Sequence, residues 1–134
     1  MMAVVFDDLE KFVCQRLAAT LGVADAFVSN RIDAAAHEHE LRVIVRDESS
    51  TSSLITSQHR VSVRVSHPVM DTASQAARRV SGLLQLLPGD AVGNPVAAVG
   101  AIYGPYRVTS DDPTRTEYYV SAEITQIGRN FEIN

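Results

Sequence analysis

Apolar residues recur every fourth position near the start of the chain and every second position in its middle and its last third. Leu9, Val13, Leu17 and Leu21, with Phe6 and Phe12 beside them, make a stripe at helical spacing, which predicts an amphipathic helix. Asp7 followed three residues later by Glu10 resembles a capping box and places the helix start at Asp7, with Gly22 as the expected stop. A second stripe, Ala73, Ala76, Ala77, Val80, Leu83, Leu84 and Leu87, predicts another helix, capped by Asp71 and ended by Pro88-Gly89-Asp90.

The clearest strand covers residues 58–66. Val61, Val63 and Val65 alternate with Arg60, Ser62, Arg64 and Ser66, so one face is buried and the other is polar and free to meet another subunit. Leu41, Val43 and Val45 alternate in the same way with Arg42, Ile44 and Arg46. Residues 26–32 are a short candidate strand, and 33–40 read as an irregular connection. A strand over 96–103 is interrupted or bulged at Gly104-Pro105, because proline has no N–H to donate, and resumes over 106–109. Residues 110–115 are a turn by composition. The last long strand, 116–127, puts Tyr118, Val120, Ala122 and Ile124 on one face and Tyr119, Ser121, Glu123 and Thr125 on the other. Residues 47–53 are rich in Ser and Thr and hold no hydrophobic residue, which predicts a solvated, mobile loop. Gly128 ends the last strand and leaves a tail carrying Phe131 and Ile133.

This order implies an α+β fold: a mainly antiparallel sheet with two helices packed on one face, plus a long C-terminal hairpin. The 134 residues fit a single domain, 1–134, since compact domains commonly run to about 100–150 residues.

Composition narrows the function classes. The formal charge is −4 and Arg78-Arg79 is the one small basic pair, a poor balance for gripping nucleic acid. It suits the wall of a passage through which DNA slides, because weak repulsion prevents sticking. The single cysteine, Cys14, rules out an intrachain disulfide and sits in the apolar pattern of the first helix, as a small core residue does. No stretch approaches the roughly 20 apolar residues of a membrane span. The first eight residues lack the basic and long apolar regions of a secretory signal, so export by that route is not expected.

Candidate chemistry is sparse. His37-Glu38-His39 on a strand would point two rings to one face, with His59 or His67 as a third metal ligand. No spacing fixes that third ligand, so a solvated polar loop is expected, with no metal and no cofactor. His67-Pro68 reads as a strand end rather than a general base. There is no G-x-S-x-G elbow, Ser-x-x-Lys, Walker sequence or dinucleotide fingerprint. Asp7-Asp8 belongs to a helix start and Asp111-Asp112 to a turn. An enzyme is therefore not expected, and the chain should work by holding other protein chains. The contact candidates are Asp47 and Ser50 in the polar segment, Arg78 and Arg79 on the second helix, Tyr106, Asp111, Asp112 and Arg115 about the hairpin, and Phe131 and Ile133 in the tail. Tyrosine and arginine are enriched at interfaces.

Several segments together resemble the small tail-terminator (tail-completion) proteins of long-tailed bacteriophages, in the form common in phages of actinobacteria. They are Phe6-Asp7-Asp8-Leu9-Glu10 opening a helix, Leu41-Arg42-Val43-Ile44-Val45-Arg46, and Val61-Ser62-Val63-Arg64-Val65 followed by the alanine-rich helix from Ala73 to Leu87. Gly104-Pro105-Tyr106-Arg107, Asp111-Asp112-Pro113 and Glu117-Tyr118-Tyr119-Val120-Ser121-Ala122-Glu123-Ile124 complete the likeness. The resemblance is one of layout over most of the chain. It implies a virion protein, assembled in the host cytoplasm, that forms a ring, usually hexameric, on the finished tail tube. Such a ring stops tube-protein polymerisation and presents a surface to the head-side connector, while DNA passes through its lumen. Head-completion and other neck proteins share such a layout. A ring needs heterologous contacts, and a tail strand added to an exposed sheet edge would be one way to make them.

Overall fold

The computed structural model describes residues 2–21, 26–31, 39–53, 55–89 and 94–132. In chain order the elements are β1 (Met2–Val5), α1 (Leu9–Leu21), β2 (Ala26–Ser29), β3 (Leu41–Ser52), β4 (Thr56–His67), α2 (Met70–Gln85), β5 (Val96–Val108), β6 (Thr116–Ile127) and β7 (Arg129–Glu132). Five strands form one sheet in the order β2-β3-β4-β6-β5. β2 runs parallel to β3, and every other neighbouring pair is antiparallel. The fold is α+β, as the alternation and the two helical stripes imply.

The registers explain where the core sits. Val43 pairs with Val65 and Val45 with Val63 across β3 and β4, while Val61 pairs with Ala122 and Val63 with Val120 across β4 and β6. These side chains are almost wholly buried on one face of the sheet. Leu9, Val13, Leu17 and Leu21 of α1 and Ala77, Val80 and Leu84 of α2 pack into the same cluster. A buried Val or Leu side chain contributes about 1.5–3 kcal/mol, so this single row of cross-strand valines orients both helices on one side.

The structure corrects three local expectations. The first helical residue is Leu9, and Asp8 rather than Asp7 caps it: Lys11 N–H donates to Asp8 Oδ1 at 3.1 Å. Glu10 does not close a capping box; Oε2 accepts the Asp47 N–H (2.8 Å) and Oε1 accepts from Asn30 Nδ2 (2.9 Å). The helix end expected at Gly22 lies outside the described residues.

Residues 47–52 are strand, not loop. β3 continues to Ser52, with Thr51 opposite Gln58 and Ser52 opposite Ser57, after a bulge between Asp47 and Ser49. The turn is closed by Ser53 N–H donating to Thr56 O at 2.7 Å. A strand needs a ladder partner before it needs apolar side chains, and β4 supplies one here.

Asp71 does not cap α2. Its N-cap is Val69, with no side-chain cap, and Asp71 lies in the first turn. His67 Nδ1 accepts the Val69 N–H at 2.9 Å and fixes the entry to the helix.

The C-terminal tail is also tied back. β7 pairs antiparallel with β1, Val5 opposite Arg129 and Ala3 opposite Phe131. Gly128 permits the approach, since a Cβ there would stand 2.2 Å from Val4 Cγ1 and 3.0 Å from Phe6 Cε1.

Candidate interaction surface

The face of the sheet turned away from the helices is built by the alternate residues of the same strands. Four rows cross it at matched register. The first is Ser49–Arg60–Glu123, the second Arg46–Ser62–Ser121–Tyr103, the third Ile44–Arg64–Tyr119–Tyr106, and the fourth Arg42–Ser66–Glu117–Val108. The serines at the centre are buried beneath their longer neighbours. Tyr103 and Tyr106 remain 44% and 50% exposed.

Contacts within this face are mainly between arginine and tyrosine. The Arg60 guanidinium lies 5.1 Å from the Tyr103 ring centroid, and that of Arg64 lies 5.3 Å from Tyr119. Tyr106 and Tyr119 are 5.4 Å apart. Arg64 Nη1 also donates to Glu117 Oε2 at 2.8 Å. Each arginine–tyrosine pair stabilises by roughly 0.5–1 kcal/mol at an exposed site. Ser62 Oγ donates to Glu48 Oε1 at 2.6 Å, while the buried Ser121 Oγ has no partner among the described residues. An open hollow of about 470 Å³ adjoins the first row, between Ser50, Gln58, Arg60, Gly100 and Glu123.

Both edges of the sheet are guarded. β2 has four residues, and β5 breaks register three times, between Val96 and Ala98, Val99 and Ile102, and Tyr103 and Tyr106. At the third break Gly104 has φ +87°, and a Cβ there would lie 2.5 Å from Tyr119 O. Short and bulged edges resist strand addition. Strand addition is therefore disfavoured at both edges, and the open face is the broad polar surface the sheet leaves accessible.

The residues expected to make contacts divide among different tasks. Tyr106 stands on the open face. Ser50 is exposed beside the hollow. Asp47 is half-buried and its Oδ2 lies 2.5 Å from His59 Nδ1. Arg78 and Arg79 are exposed on α2, and Arg79 borders a groove with Leu21 of α1. Asp111 is exposed in the β5–β6 turn. Asp112 shapes that turn: its Oδ1 accepts the Thr114 N–H (2.9 Å) and O–H (2.6 Å), and these bonds hold its carboxyl below the usual range. Arg115 is an internal tie. Its Nη2 donates to Ser66 O at 2.9 Å and to Glu40 O, and partial burial draws its pKa down. Phe131 lies in β7 with its backbone already paired, and Ile133 lies outside the described residues. The strand pattern marked the polar face of β4, but the union of Arg46, Arg60, Arg64, Tyr103, Tyr119 and Glu123 into one surface follows from the β3–β4, β4–β6 and β5–β6 registers, which no local spacing reveals.

Asp47, His59 and Gln126 line the helix-facing side near the start of α1. Gln126 Nε2 donates to Asp7 O at 2.7 Å. Asp47 Oδ1, His59 Nε2 and Gln126 Oε1 are buried without partners among the described residues. Among the described residues no hydroxyl or thiol is bonded to His59 Nε2, the bond that activation of a nucleophile would need. Burial, and then Glu10 and Asp8, push the Cys14 thiol up to about 11, away from nucleophilic chemistry. His67 is held by Val69 and lies 3.5 Å from Glu40, and His39 stacks on Phe27 at 5.9 Å. His37 and Glu38 lie outside the described residues. Among the described residues no three His, Cys, Asp or Glu side chains gather as a metal site, and no helix is long and apolar enough to cross a membrane.

No family model matches the chain, and no curated protein matches it.

Proposed function

We propose that this chain is a non-enzymatic joining protein of the tail-terminator kind. It forms a ring, hexameric by that likeness, on a phage tail tube, ends tube growth, and receives the head-side connector. Its place is the tail–neck junction of the virion, and DNA passes through the lumen without specific binding.

One observation carries the reading. Besides Leu86 (76% exposed) just past α2 and the two tyrosines of the open face, the exposed large apolar side chains of the described residues form two pairs at opposite ends of β4. Ile55 (64% exposed) and Ile127 (55%) sit at one end, and Val69 (54%) and Met70 (48%) at the other. Gly128 N–H donates to Ile55 O at 3.0 Å, and Thr56 pairs with Ile127, which keeps the first pair together. Twelve strand residues separate the pairs, a span of about 40 Å. Single exposed apolar residues are common, but two clusters at the two poles suit a protein that binds a different partner at each end. The sequence charge of −4 suits a protein-lined passage that DNA crosses without strong attraction.

The test is native mass measurement of the purified chain, followed by its addition to polymerising tail-tube protein. A ring-sized particle and arrested tube growth are expected. A chain that stays monomeric in the presence of tube protein and leaves tube growth unchanged overturns the proposal. Binding to the head-side connector without any effect on tubes would assign it to another neck component.

A further inference from the structure

The open face is polarised. Its β3–β4 half carries four arginines, Arg42, Arg46, Arg60 and Arg64, against one carboxylate, Glu48, which accepts from Ser62. Its β6–β5 half carries Glu117, Glu123 and the three tyrosines Tyr103, Tyr106 and Tyr119, and no basic residue in the four rows. Glu123 is exposed and makes no ion pair among the described residues, although Arg60 is its cross-strand neighbour. The Arg60 guanidinium lies over Tyr103 instead.

From this pattern we infer that the open face is self-complementary and holds a second copy of this chain, sheet against sheet, about a two-fold axis. The direction of the axis follows from the charges. An axis running across the strands would lay the arginine half of one copy on the arginine half of the other. An axis running along the strands, above the line between β4 and β6, lays arginine on glutamate and tyrosine. It also keeps each row facing itself. Arg60 then meets Glu123 of the second copy, Arg64 meets its Tyr119, and Arg46 meets its Tyr103, each contact occurring twice as an isologous interface requires. Sheets stack about 10 Å apart, within the combined reach of Arg and Glu side chains. The buried serines Ser62 and Ser121 keep the centre low.

Size sets the strength. Four strands about 4.8 Å apart and some seven residues long give a face of about 19 by 24 Å. Two such faces bury on the order of 1,000 Å², the lower end for specific pairs. The contact is therefore reversible and weakened by salt, since it depends on charges that screening reaches. It is a closed two-fold contact, distinct from the heterologous contacts of a ring, and it does not rest on the ring reading.

Sedimentation analysis of the full chain, over a range of concentration and ionic strength, tests it. Two-fold association that loosens with salt is expected: a dimer of free chains, or a doubling of the ring where a ring has formed. Arg60→Glu alone and Glu123→Arg alone should each weaken the dimer at least about tenfold, because like charges then face each other twice. An equimolar mixture of these two variants should pair again as a heterodimer, since each copy now offers the charge the other needs. Circular dichroism checks that both remain folded; if either does not, Arg46→Glu replaces Arg60→Glu as the weakening variant, and Tyr103→Ala gives an uncharged control that should also weaken pairing. A wild-type chain that is monomeric throughout, or a mixture that stays monomeric, overturns the inference. So does a hexamer untouched by either substitution, which would leave the ring proposal standing alone.

Discussion

Asp47 and His59 meet across the bulge between β3 and β4, Oδ2 to Nδ1 at 2.5 Å, on the side of the sheet that faces α1. Where the Asp47 carboxyl is ionised it only accepts, and the shared proton then sits on His59 Nδ1. The Asp47 N–H is in turn taken by Glu10. The pair thus joins the start of α1, the bulge of β3 and the body of β4. Asp47→Ala leaves His59 buried without its acceptor and should cost about 1–3 kcal/mol, read as a lower urea midpoint with unchanged slope. An unmoved midpoint would show that the pair does not hold the bulge.

Two glycines should respond oppositely to alanine. At Gly128 a Cβ would collide with Val4 Cγ1 and crowd Phe6; Gly128→Ala should destabilise by about 1–3 kcal/mol and loosen β1 from β7. At Gly82, exposed on α2, a Cβ meets nothing within 4 Å, so Gly82→Ala should stabilise by up to about 1 kcal/mol through helix propensity. Thermal melts of the two variants check both signs.

Arg115 should behave as a structural residue rather than a free contact. Removing its guanidinium frees Ser66 O and Glu40 O from their donor. Arg115→Ala should cost about 1–3 kcal/mol, and Arg115→Lys should not restore it, because an ammonium cannot reproduce the planar fork. Equal stability of the Lys and wild-type chains would contradict this.

The hairpin turn should loosen in acid. The Thr114 O–H and N–H hold the Asp112 carboxyl below its ordinary range. Its stabilising contribution is therefore present above the unfolded carboxyl pKa and is lost as pH falls through the lower, folded value. Thr114→Ala should raise the Asp112 titration towards the ordinary value, measured by NMR on the side-chain carbonyl.

Cys14 should be slow to label. With its thiol raised to about 11 by burial, little thiolate exists near neutrality. A folded pKa above the unfolded one means the stabilising effect is complete below about pH 9 and is lost as pH climbs towards 11. Alkylation of folded protein at mildly alkaline pH should be much slower than in denaturant. Equal rates would sink the argument.

Periodicity reported what depends on burial. The valines of β4, the stripe of α2 and the alternation of β6 were legible because each repeats a buried position at the period of its element. Residues 47–52 were not, because their strand is imposed by a ladder partner and carries no apolar face. The cap of α1 was one residue off because Asp7 and Asp8 have the same chemistry and only geometry separates them. The α2 cap was missed because the His67 side chain organises the entry from outside the helix. The β1–β7 pair unites segments more than a hundred residues apart, beyond any local signal. Of the contact candidates, Tyr106 reached the open face, whereas Asp112 and Arg115 are engaged in their own fold.

The β4–β6 ladder also governs how the chain comes together. The β3–β4 and β5–β6 hairpins close over short turns, but Val61 reaches Ala122 only after α2 and the whole of β5 have been looped out. Closing a long loop is slower than closing a hairpin. During synthesis the row Val61, Val63 and Val65 must therefore wait, half-covered by β3 and the helices, until β6 has left the ribosome. Nascent chains stalled with residues 116–127 still inside the ribosome should stay protease-sensitive, and those extended by a linker long enough to bring β6 outside should become protected together, as one cooperative unit.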